Sequence, residues 1–413
     1  MAPKGLVVTP SPVEDEGPDQ PPTLKRRLTS LKKRLSFKTK SKGPAEWLLE
    51  GTAGKPKSIL QSTQLKLSNK DVTSEGGHKF LCSYTWTQGD TPTIYVPGDP
   101  PQCVLPAKSF KVRKDSKKQA PTEKDFPVPR HPFEPTFRAM ELMNPDFKFN
   151  DIHVLITRNS LRKLFDFCLG KCNFDFRLNL YMVNNTLVVE RWEKNASDLV
   201  RPRGNTGWGR NFEKQITQTP LGMKDIGTHH RLLQYNFGGH RCAVLCEVDA
   251  ACDDGPRDAT SEAAPLEQND AADVKVIRGG IRIPHEKAVE IKSKAGLKSK
   301  ISIGPRLQQL WFGRTQNLIW SRHNWGQFEP PRIKDVESQF AHWEARNQTV
   351  LRKIAGILTS LQGIVNRTQG RACIAFCQKK HRLRIGKPLL LKVYQSVEGK
   401  MPLPEDLCQK FWG

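Results

Sequence analysis

The pattern of apolar positions becomes regular at Asp151, and the chain is predicted to fold from there. Asp151–Thr157 is apolar and β-branched, which predicts a strand. Apolar residues at helical spacing then predict a helix over Leu161–Leu169, with Asn159 or Ser160 as its N-cap. Arg158 therefore lies at a strand-to-helix junction, where its guanidinium is either solvated or available to a phosphate.

Further elements follow the same two periodicities. Asn184 and Asn185 stand between two apolar runs, which predicts a β-hairpin because asparagine tolerates the positive φ of a tight turn. Trp208, Phe212 and Ile216 predict the apolar stripe of a helix, and Glu213 borders this stripe. The remaining predicted elements are a helix near Leu307–Arg314, a strand at Leu318–Trp320, a long helix over Val336–Val365, and strands near Ala372–Gln378 and Leu389–Tyr394.

Two short charged motifs are the most informative part of the pattern. Cys-Glu247-Val-Asp249-Ala and Val-Glu290-Ile-Lys292 each place charged residues at i and i+2 of a predicted strand. Successive strand side chains point to opposite faces, so each pair shares one face while its apolar neighbours point into a core. Three carboxylates and one amine would then meet on one sheet face. Such a cluster is costly unless a cation or a reaction uses it.

The charge balance favours a polyanionic partner. Lys and Arg number 66 against 42 Asp and Glu in 413 residues, a formal net charge of +24. This excess is typical of proteins that bind nucleic acid, and less often of proteins that bind acidic membrane surfaces. Part of it lies in residues 1–45, which are rich in Pro, Ser, Lys and Arg and are predicted to be a disordered basic tail. Within this tail, Leu24–Leu35 is a nuclear-import or RNA-contact segment, a basic amphipathic helix on an anionic membrane surface, or an inert solvated stretch.

The sequence predicts neither a membrane span nor a zinc site. No run approaches the roughly 20 apolar residues that a membrane span needs. The 10 Cys residues form no CxxC pair, and no His cluster stands at zinc-ligand spacing, so we expect buried thiols in a reducing compartment. We expect an intracellular protein without a transmembrane segment, located in the nucleus or alternatively in the cytoplasm.

An Asp followed by Glu-x-Lys on a neighbouring strand is a pattern of metal-dependent phosphodiesterases. Asp249 and Glu290 would hold Mg²⁺ or Mn²⁺, hard cations that prefer carboxylate oxygen. The metal would polarise a phosphoryl oxygen and activate water, and Lys292 would position that water. Glu213 and Glu247 would complete sites for one or two ions. Surface salt bridges stay an alternative at this point, because so short a pattern also occurs by chance.

Five short motifs, in this order, resemble the decapping exoribonuclease family (DXO/Rai type), in a divergent form of its fungal branch. They are Thr157-Arg158-Asn-Ser-Leu after a strand, Gly209-Arg-Asn-Phe-Glu213, Glu247-Val-Asp249, Glu290-Ile-Lys292, and Gln309 before an apolar segment and a strand. Their order over about residues 150–325 is far more specific than any one motif.

The resemblance implies a fold and a domain organisation. The fold would be α+β, with two packed mixed β-sheets flanked by helices and a core related to the PD-(D/E)xK nucleases. One catalytic domain would span residues 46–413, with an acidic loop, 252–273, inserted between Asp249 and Glu290. Residues 46–150 show no chemistry and are expected to wrap the surface of this domain.

The resemblance also implies a role for each matched residue. Lys292 and Gln309 would place the nucleophilic water and, with Glu247, contact the substrate, and Arg158 would contact an RNA phosphate. The implied metal ligands are Glu213, Glu247 through a water molecule, Asp249, Glu290 and the Ile291 carbonyl.

The implied activity is hydrolysis at the 5′ end of RNA, with or without subsequent 5′–3′ exoribonuclease activity. Members of the resembled family remove incomplete or unusual 5′ caps, 5′ triphosphate or NAD, and some degrade the RNA onward from 5′ to 3′ or stimulate a larger 5′–3′ exoribonuclease. The sequence therefore predicts a metal-dependent RNA 5′-end hydrolase of RNA quality control, with RNA 5′ ends and a 5′–3′ exoribonuclease as partners. The alternatives are an RNA-binding or exoribonuclease-stimulating scaffold with little turnover, and a DNA endonuclease on the same core.

Overall fold

Runs of β-branched and aromatic residues form most of the strands in the computed structural model. The structure describes residues 45–116, 129–193, 207–220, 222–252, 264–265, 273–296, 303–379, 388–397 and 401–413. Glu46–Gly413 forms one compact unit. The predicted tail, except Ala45, and most of the predicted acidic loop lie outside the described residues.

The strands are, in chain order, β1 (Thr52–Gln61), β2 (Lys79–Thr87), β3 (Thr93–Pro97), β4 (Gln102–Cys103), β5 (Phe110–Lys111), β6 (Val154–Thr157), β7 (Phe176–Val183), β8 (Thr186–Trp192), β9 (Thr217–Gln218), β10 (Ile226–Phe237), β11 (His240–Val248), β12 (Ala250–Ala251), β13 (Ala264–Pro265), β14 (Lys275–Gly279), β15 (Ala288–Ala295), β16 (Asn317–Asn324), β17 (Gln327–Phe328), β18 (Arg332–Asp335), β19 (Ala372–Cys377) and β20 (Leu390–Ser396). The α-helices are α1 (Glu46–Leu49), α2 (Glu134–Met143), α3 (Arg158–Cys168), α4 (Gly209–Gln215), α5 (Gly304–Phe312), α6 (Phe340–Arg367) and α7 (Glu405–Trp412). Short 3₁₀ turns lie at His285–Lys287, Glu337–Gln339 and Gln369–Arg371.

These strands form two mixed sheets. The larger sheet has 12 strands in the order β1-β20-β19-β7-β8-β6-β11-β10-β2-β3-β14-β13. The smaller sheet has 8 strands in all, running β5-β17-β16-β15-β12-β4-β9 with β18 paired to β16. Both contain parallel and antiparallel pairs. The predicted α+β class with two mixed sheets and flanking helices is confirmed, while the relation to the PD-(D/E)xK core stays a prediction.

The region 46–150 does not merely wrap the surface, so this expectation is wrong. Its strand β2 lies between β10 and β3 inside the larger sheet. The side chains of Leu81 and Cys82 are both buried, although they point to opposite faces. A strand covered on both faces lacks the alternation that identifies a half-buried strand, and the Pro- and Lys-rich flanks mask it further.

Helices cover both faces of the central strands of the larger sheet. On one face, Ile156 of β6 is buried in the same cluster as Ile354 and Leu358 of α6. On the other, Leu155 is buried with Phe137 of α2. Because β6 and β11 are packed on both sides, the residues at their carboxyl ends are held on a rigid support.

The junction between β6 and α3 differs from the prediction in one detail. The helix begins at Arg158, directly after the strand, and its N-cap is Thr157, whose Oγ1 accepts a hydrogen bond from the Ser160 N–H at 3.1 Å. The predicted cap at Asn159 or Ser160 is therefore wrong, because the last strand residue already supplies the capping oxygen. The predicted hairpin at Asn184 is confirmed, with φ of 46° at that residue.

All ten cysteines are free thiols. None of the helices in the described ranges is long and apolar enough to cross a membrane.

Candidate active site

The charged motifs meet where the two sheets join. Glu247 lies on β11 of the larger sheet, and the chain passes through Asp249 into β12, which pairs antiparallel with β15 of the smaller sheet. Glu290 and Lys292 lie on β15. The expectation that both motifs share one sheet face is therefore wrong. The motifs belong to two sheets, because the chain changes sheet at Asp249.

Lys292 is at the centre of the contacts in this site. Its Nζ donates to the Ile291 carbonyl at 2.9 Å and to Asp249 Oδ2 at 3.4 Å, and it also donates to Glu290 Oε1. Asp249 Oδ2 additionally accepts the backbone N–H of Ile291 at 2.8 Å. Asp249 is thus fixed to β15 by one backbone hydrogen bond and one ion pair.

Glu290 is the most deeply buried carboxylate of the site. The residue is 1% exposed, and its Oε2 accepts from Arg158 Nη1 at 3.1 Å. Its Oε1 accepts from Gln309, which lies on α5. Burial alone would raise the pKa of Glu290, but attraction to Lys292 and then to Arg158 outweighs it and lowers the pKa to about 2. Glu290 is therefore ionised at neutral pH.

The first turn of α3 and the helix α5 supply these two partners. Arg158 is buried. Burial is the largest single effect and would lower its pKa, but attraction to Glu290 and to further anionic groups together outweighs burial and raises the pKa. For Arg158 to contact a phosphate as predicted, the phosphate has to come beside the buried Glu290. The same arrangement holds the Glu290 carboxylate in one orientation.

Glu213 reaches the site because of the apolar stripe on α4. Phe212 and Ile216 are buried in one cluster with Val289 and Ile291 of β15, so the neighbouring Glu213 lies beside the junction. Burial, followed by repulsion from Asp249, raises the pKa of Glu213 to about 8. No hydrogen bond or ion pair of this carboxylate lies within the part of the chain that the structure describes.

Glu247 and Asp249 also resist ionisation. Glu247 is exposed, and solvent screens its charge in part. Its pKa is still raised, first by the surrounding protein and then by repulsion from Asp249. The pKa of Asp249 is raised by burial and by repulsion from Glu290. Four carboxylates thus compete for the ammonium of Lys292 and the guanidinium of Arg158, so this junction retains protons near neutral pH that a bound cation would displace.

The donor atoms fit a hard divalent cation, but their present arrangement does not form a finished cage. Carboxylate and carbonyl oxygens are the ligands that Mg²⁺ and Mn²⁺ prefer, and the site supplies Asp249, Glu290 and the Ile291 carbonyl. Those three oxygens all contact Lys292 Nζ. Among the described residues, no group of three or more His, Cys, Asp or Glu side chains is placed to hold a metal ion. Binding of a cation would therefore require the Lys292 ammonium to move aside.

The structure brings together all eight residues predicted from the sequence and adds one cation that the sequence reasoning missed. Arg162 lies one helical turn after Arg158 and lowers the pKa of Glu290, and its Nε has no hydrogen-bond partner among the described residues. Helical spacing from Arg158 could have identified it.

A family comparison covers most of the chain. Residues 58–412 match the model of a family described as a domain of unknown function, DUF8563. This chain belongs to the DUF8563 family. No curated protein matches it significantly.

Solved structures of Rai1 proteins show the fold of this DUF8563 chain. Scheffersomyces stipitis Rai1, in complex with 3′-NADP⁺ and calcium, is 12% identical with a TM-score of 0.57, and the match covers 86% of this chain and 99% of that one. Candida albicans Rai1, in complex with pU5 and Mn²⁺, is 12% identical with a TM-score of 0.51, covering 84% and 99%. A mutant S. pombe Rai1 in complex with 3′-FADP gives 12% and 0.51, covering 81% and 98%. The predicted resemblance is thereby confirmed at the level of the fold.

Proposed function

We propose that this DUF8563 protein is a metal-dependent hydrolase that acts on the 5′ ends of RNA. The observation that carries the proposal is the convergence of Glu213, Asp249, Glu290 and Lys292 at one sheet junction within a Rai1 fold. The crowding of four carboxylates with raised or strongly shifted pKa values there supports a cation as part of the working site. The complexes of Rai1 proteins with pU5 and Mn²⁺ and with 3′-NADP⁺ and calcium support a nucleotide substrate and a divalent ion.

One group of residues would hold the metal ion. Asp249, Glu290, the Ile291 carbonyl and Glu213 would hold Mg²⁺ or Mn²⁺, which supplies Lewis-acid stabilisation of a phosphoryl oxygen when bound. Gln309 fixes the Glu290 carboxylate by donating to it.

The remaining groups would act on the substrate and on water. Lys292, released from the carboxylates, would orient the attacking water and offset charge on the phosphoryl group. Arg158 would offset charge beside Glu290. Exposed Glu247 is the carboxylate that a substrate and its water can reach from solvent.

A panel of RNAs with different 5′ ends tests the proposal. Purified protein is incubated with Mg²⁺ or Mn²⁺ and with RNAs that carry a 5′ triphosphate, a 5′ monophosphate, an unmethylated cap, a methylated cap or NAD. We expect at least one 5′ group to be released, and we expect Asp249→Asn and Lys292→Ala to abolish that release. Glu75→Gln, which alters an exposed carboxylate outside the site, is the matched control.

Three results would refute the hydrolase. These are no processing of any 5′ end, unchanged processing by Asp249→Asn and Lys292→Ala, or equal loss in Glu75→Gln. Cleavage of DNA in preference to RNA would indicate a DNA nuclease on the same fold.

One observation favours a second candidate, an RNA-binding or exoribonuclease-stimulating scaffold with little turnover. The Lys292 ammonium contacts the three oxygens that a metal would need. A scaffold predicts RNA binding, or stimulation of an added 5′–3′ exoribonuclease, with no release of 5′ groups in the panel. Either function agrees with a nuclear location, which fluorescence of the tagged chain with and without residues 1–45 would test.

A further inference from the structure

The tip of the hairpin between β16 and β17 carries an exposed tryptophan in an unfavourable backbone conformation. Trp325 is 80% exposed and, with Gly326, forms the two-residue connection between Asn324 and Gln327. Both residues have positive φ, 49° and 88°, as in a type I′ turn. The first position of this turn favours Asn, Asp or Gly, and a bulky side chain there is strained. Folding alone therefore does not account for Trp325.

The tip is braced against a second tryptophan. The rings of Trp325 and Trp208 meet edge to face with centroids 6.2 Å apart. A Cβ on Gly326 would lie 2.5 Å from both Trp208 Nε1 and the Val112 carbonyl, so the turn is packed directly onto its support. The backbone N–H of Val112 also donates to the Gly326 carbonyl at 2.8 Å. The Trp325 backbone is therefore held in place while its ring faces solvent.

A segment rich in cations lies beside this pair of rings. Lys114 Nζ lies 5.6 Å from the centre of the Trp208 ring. Lys111, Arg113 and Lys114 are all exposed along the segment that pairs with the hairpin. The nearby acid, Asp115, is buried and accepts hydrogen bonds from two backbone N–H groups in the first turn of α4, at 3.0 and 3.3 Å. The exposed charges that this segment contributes to the surface are therefore positive.

The same helix connects this surface to the candidate active site. Trp208 is the N-cap of α4, and Glu213 lies on that helix, about 8 Å further along its axis at 1.5 Å per residue. Arg210 lies between them. A strand of nucleic acid whose end is at Glu213 could reach the two tryptophans within a few nucleotides.

We propose that Trp325 and Trp208 form a stacking platform for bases of single-stranded RNA downstream of its 5′ end, with Lys111, Arg113 and Lys114 contacting the phosphates. Aromatic rings beside a cationic strip are the features by which proteins bind single strands without reading their sequence. The platform rests on the proposed function, because the active site supplies the reason for RNA to lie there. Its own role is to hold the body of the substrate, not to take part in hydrolysis.

Binding without catalysis tests the platform separately from the hydrolase. Fluorescein-labelled oligoadenylate of about ten nucleotides is titrated, in the presence of a chelator, with the wild type, Trp325→Asn and Phe174→Ala, and anisotropy is measured. Phe174 is the matched control, since it is 71% exposed and has Lys379 Nζ 5.6 Å from its ring centre, but lies beyond the far end of α3. We expect Trp325→Asn to weaken binding by about 5- to 100-fold, the worth of one stacked base, and Phe174→Ala to leave it unchanged.

Two further measurements exclude simpler explanations. An oligomer of the same length without bases should bind the wild type and Trp325→Asn equally, because only the phosphate contacts remain. Trp325→Asn should melt at a higher temperature than the wild type, because asparagine suits the turn.

Three outcomes would overturn the platform. They are unchanged affinity of Trp325→Asn for oligoadenylate, equal loss with the base-free oligomer, and equal loss in Phe174→Ala. The first would leave a protein partner as the occupant of this surface. Because no metal is present, these results stand whether or not any 5′ end is hydrolysed.

Discussion

Replacing Glu213 by Gln tests whether the carboxylates at the sheet junction repel one another in the metal-free protein. Burial and then repulsion from Asp249 raise the pKa of Glu213 from 4.5 to about 8. A carboxyl whose pKa is higher in the folded than in the unfolded chain stabilises the fold below its unfolded pKa, and this contribution is lost as the pH rises through the folded pKa. We therefore expect the wild type to lose stability between pH 4.5 and about pH 8, and Glu213→Gln to lose less.

The size of the effect follows from the pKa shift. Each pKa unit corresponds to about 1.4 kcal/mol, so the full shift of Glu213 would correspond to roughly 5 kcal/mol. Glu213 keeps some contact with solvent, and Glu247 and Asp249 share the same protons. We therefore expect less than half of the full value, about 2 kcal/mol between the two ends of the pH range.

The assay is urea unfolding in the presence of a chelator at about pH 5 and about pH 8.5, the window in which Glu213 changes charge. The free energy of unfolding of Glu213→Gln minus that of the wild type should rise by about 2 kcal/mol from the lower to the higher pH. Glu75→Gln is the control, because Glu75 is exposed and outside the site. Glu290 does not interfere, since its lowered pKa costs stability only as the pH falls from 4.5 toward about 2.

A difference in unfolding free energy between Glu213→Gln and the wild type that does not change with pH would refute the reasoning. It would mean that the pKa of Glu213 is the same in the folded and in the unfolded protein. A rise of the same size in Glu75→Gln would also refute it, because the effect would then come from the overall charge. Addition of Mn²⁺ offers a second check. A bound cation stabilises the ionised carboxylates, so it should remove most of the pH dependence of the wild type.

Three further outcomes are expected. Mn²⁺ at about 100 times its Kd should raise the unfolding free energy of the wild type by about 2.7 kcal/mol, and Asp249→Asn should abolish this increase in the same urea assay. Arg158→Met should lower the unfolding free energy by about 3 kcal/mol, because it removes a partner of the buried Glu290 carboxylate. Combined with Glu290→Gln it should cost less than the sum of the two single changes, and strict additivity would contradict the ion pair. Thr157→Ala should lower the melting temperature through the loss of about 1 kcal/mol of N-capping, whereas Asn159→Ala should leave it unchanged, and the opposite ranking would contradict the assigned cap.

The sequence alone determined those parts of the protein whose residues are close together in the chain. The spacing of apolar residues and the turn preference of asparagine predicted β6, the Asn184 hairpin and the long helix α6. These elements depend on local spacing and on backbone preferences. The order of five motifs also indicated the Rai1-type fold. The pairs Glu247/Asp249 and Glu290/Lys292 stood out because charge alternated with apolar residues.

Only the tertiary structure decided how those charges meet. No local pattern marks Asp249 as the point where the chain leaves one sheet for the other, so the motifs were expected on one face. The pairing of Arg158 with Glu290 joins residues 132 positions apart, and it decides that Arg158 is buried instead of solvated. Likewise, the bracing of Trp325 by Trp208 depends on packing between α4 and a hairpin more than 100 residues later, a long-range contact that spacing along the chain does not encode.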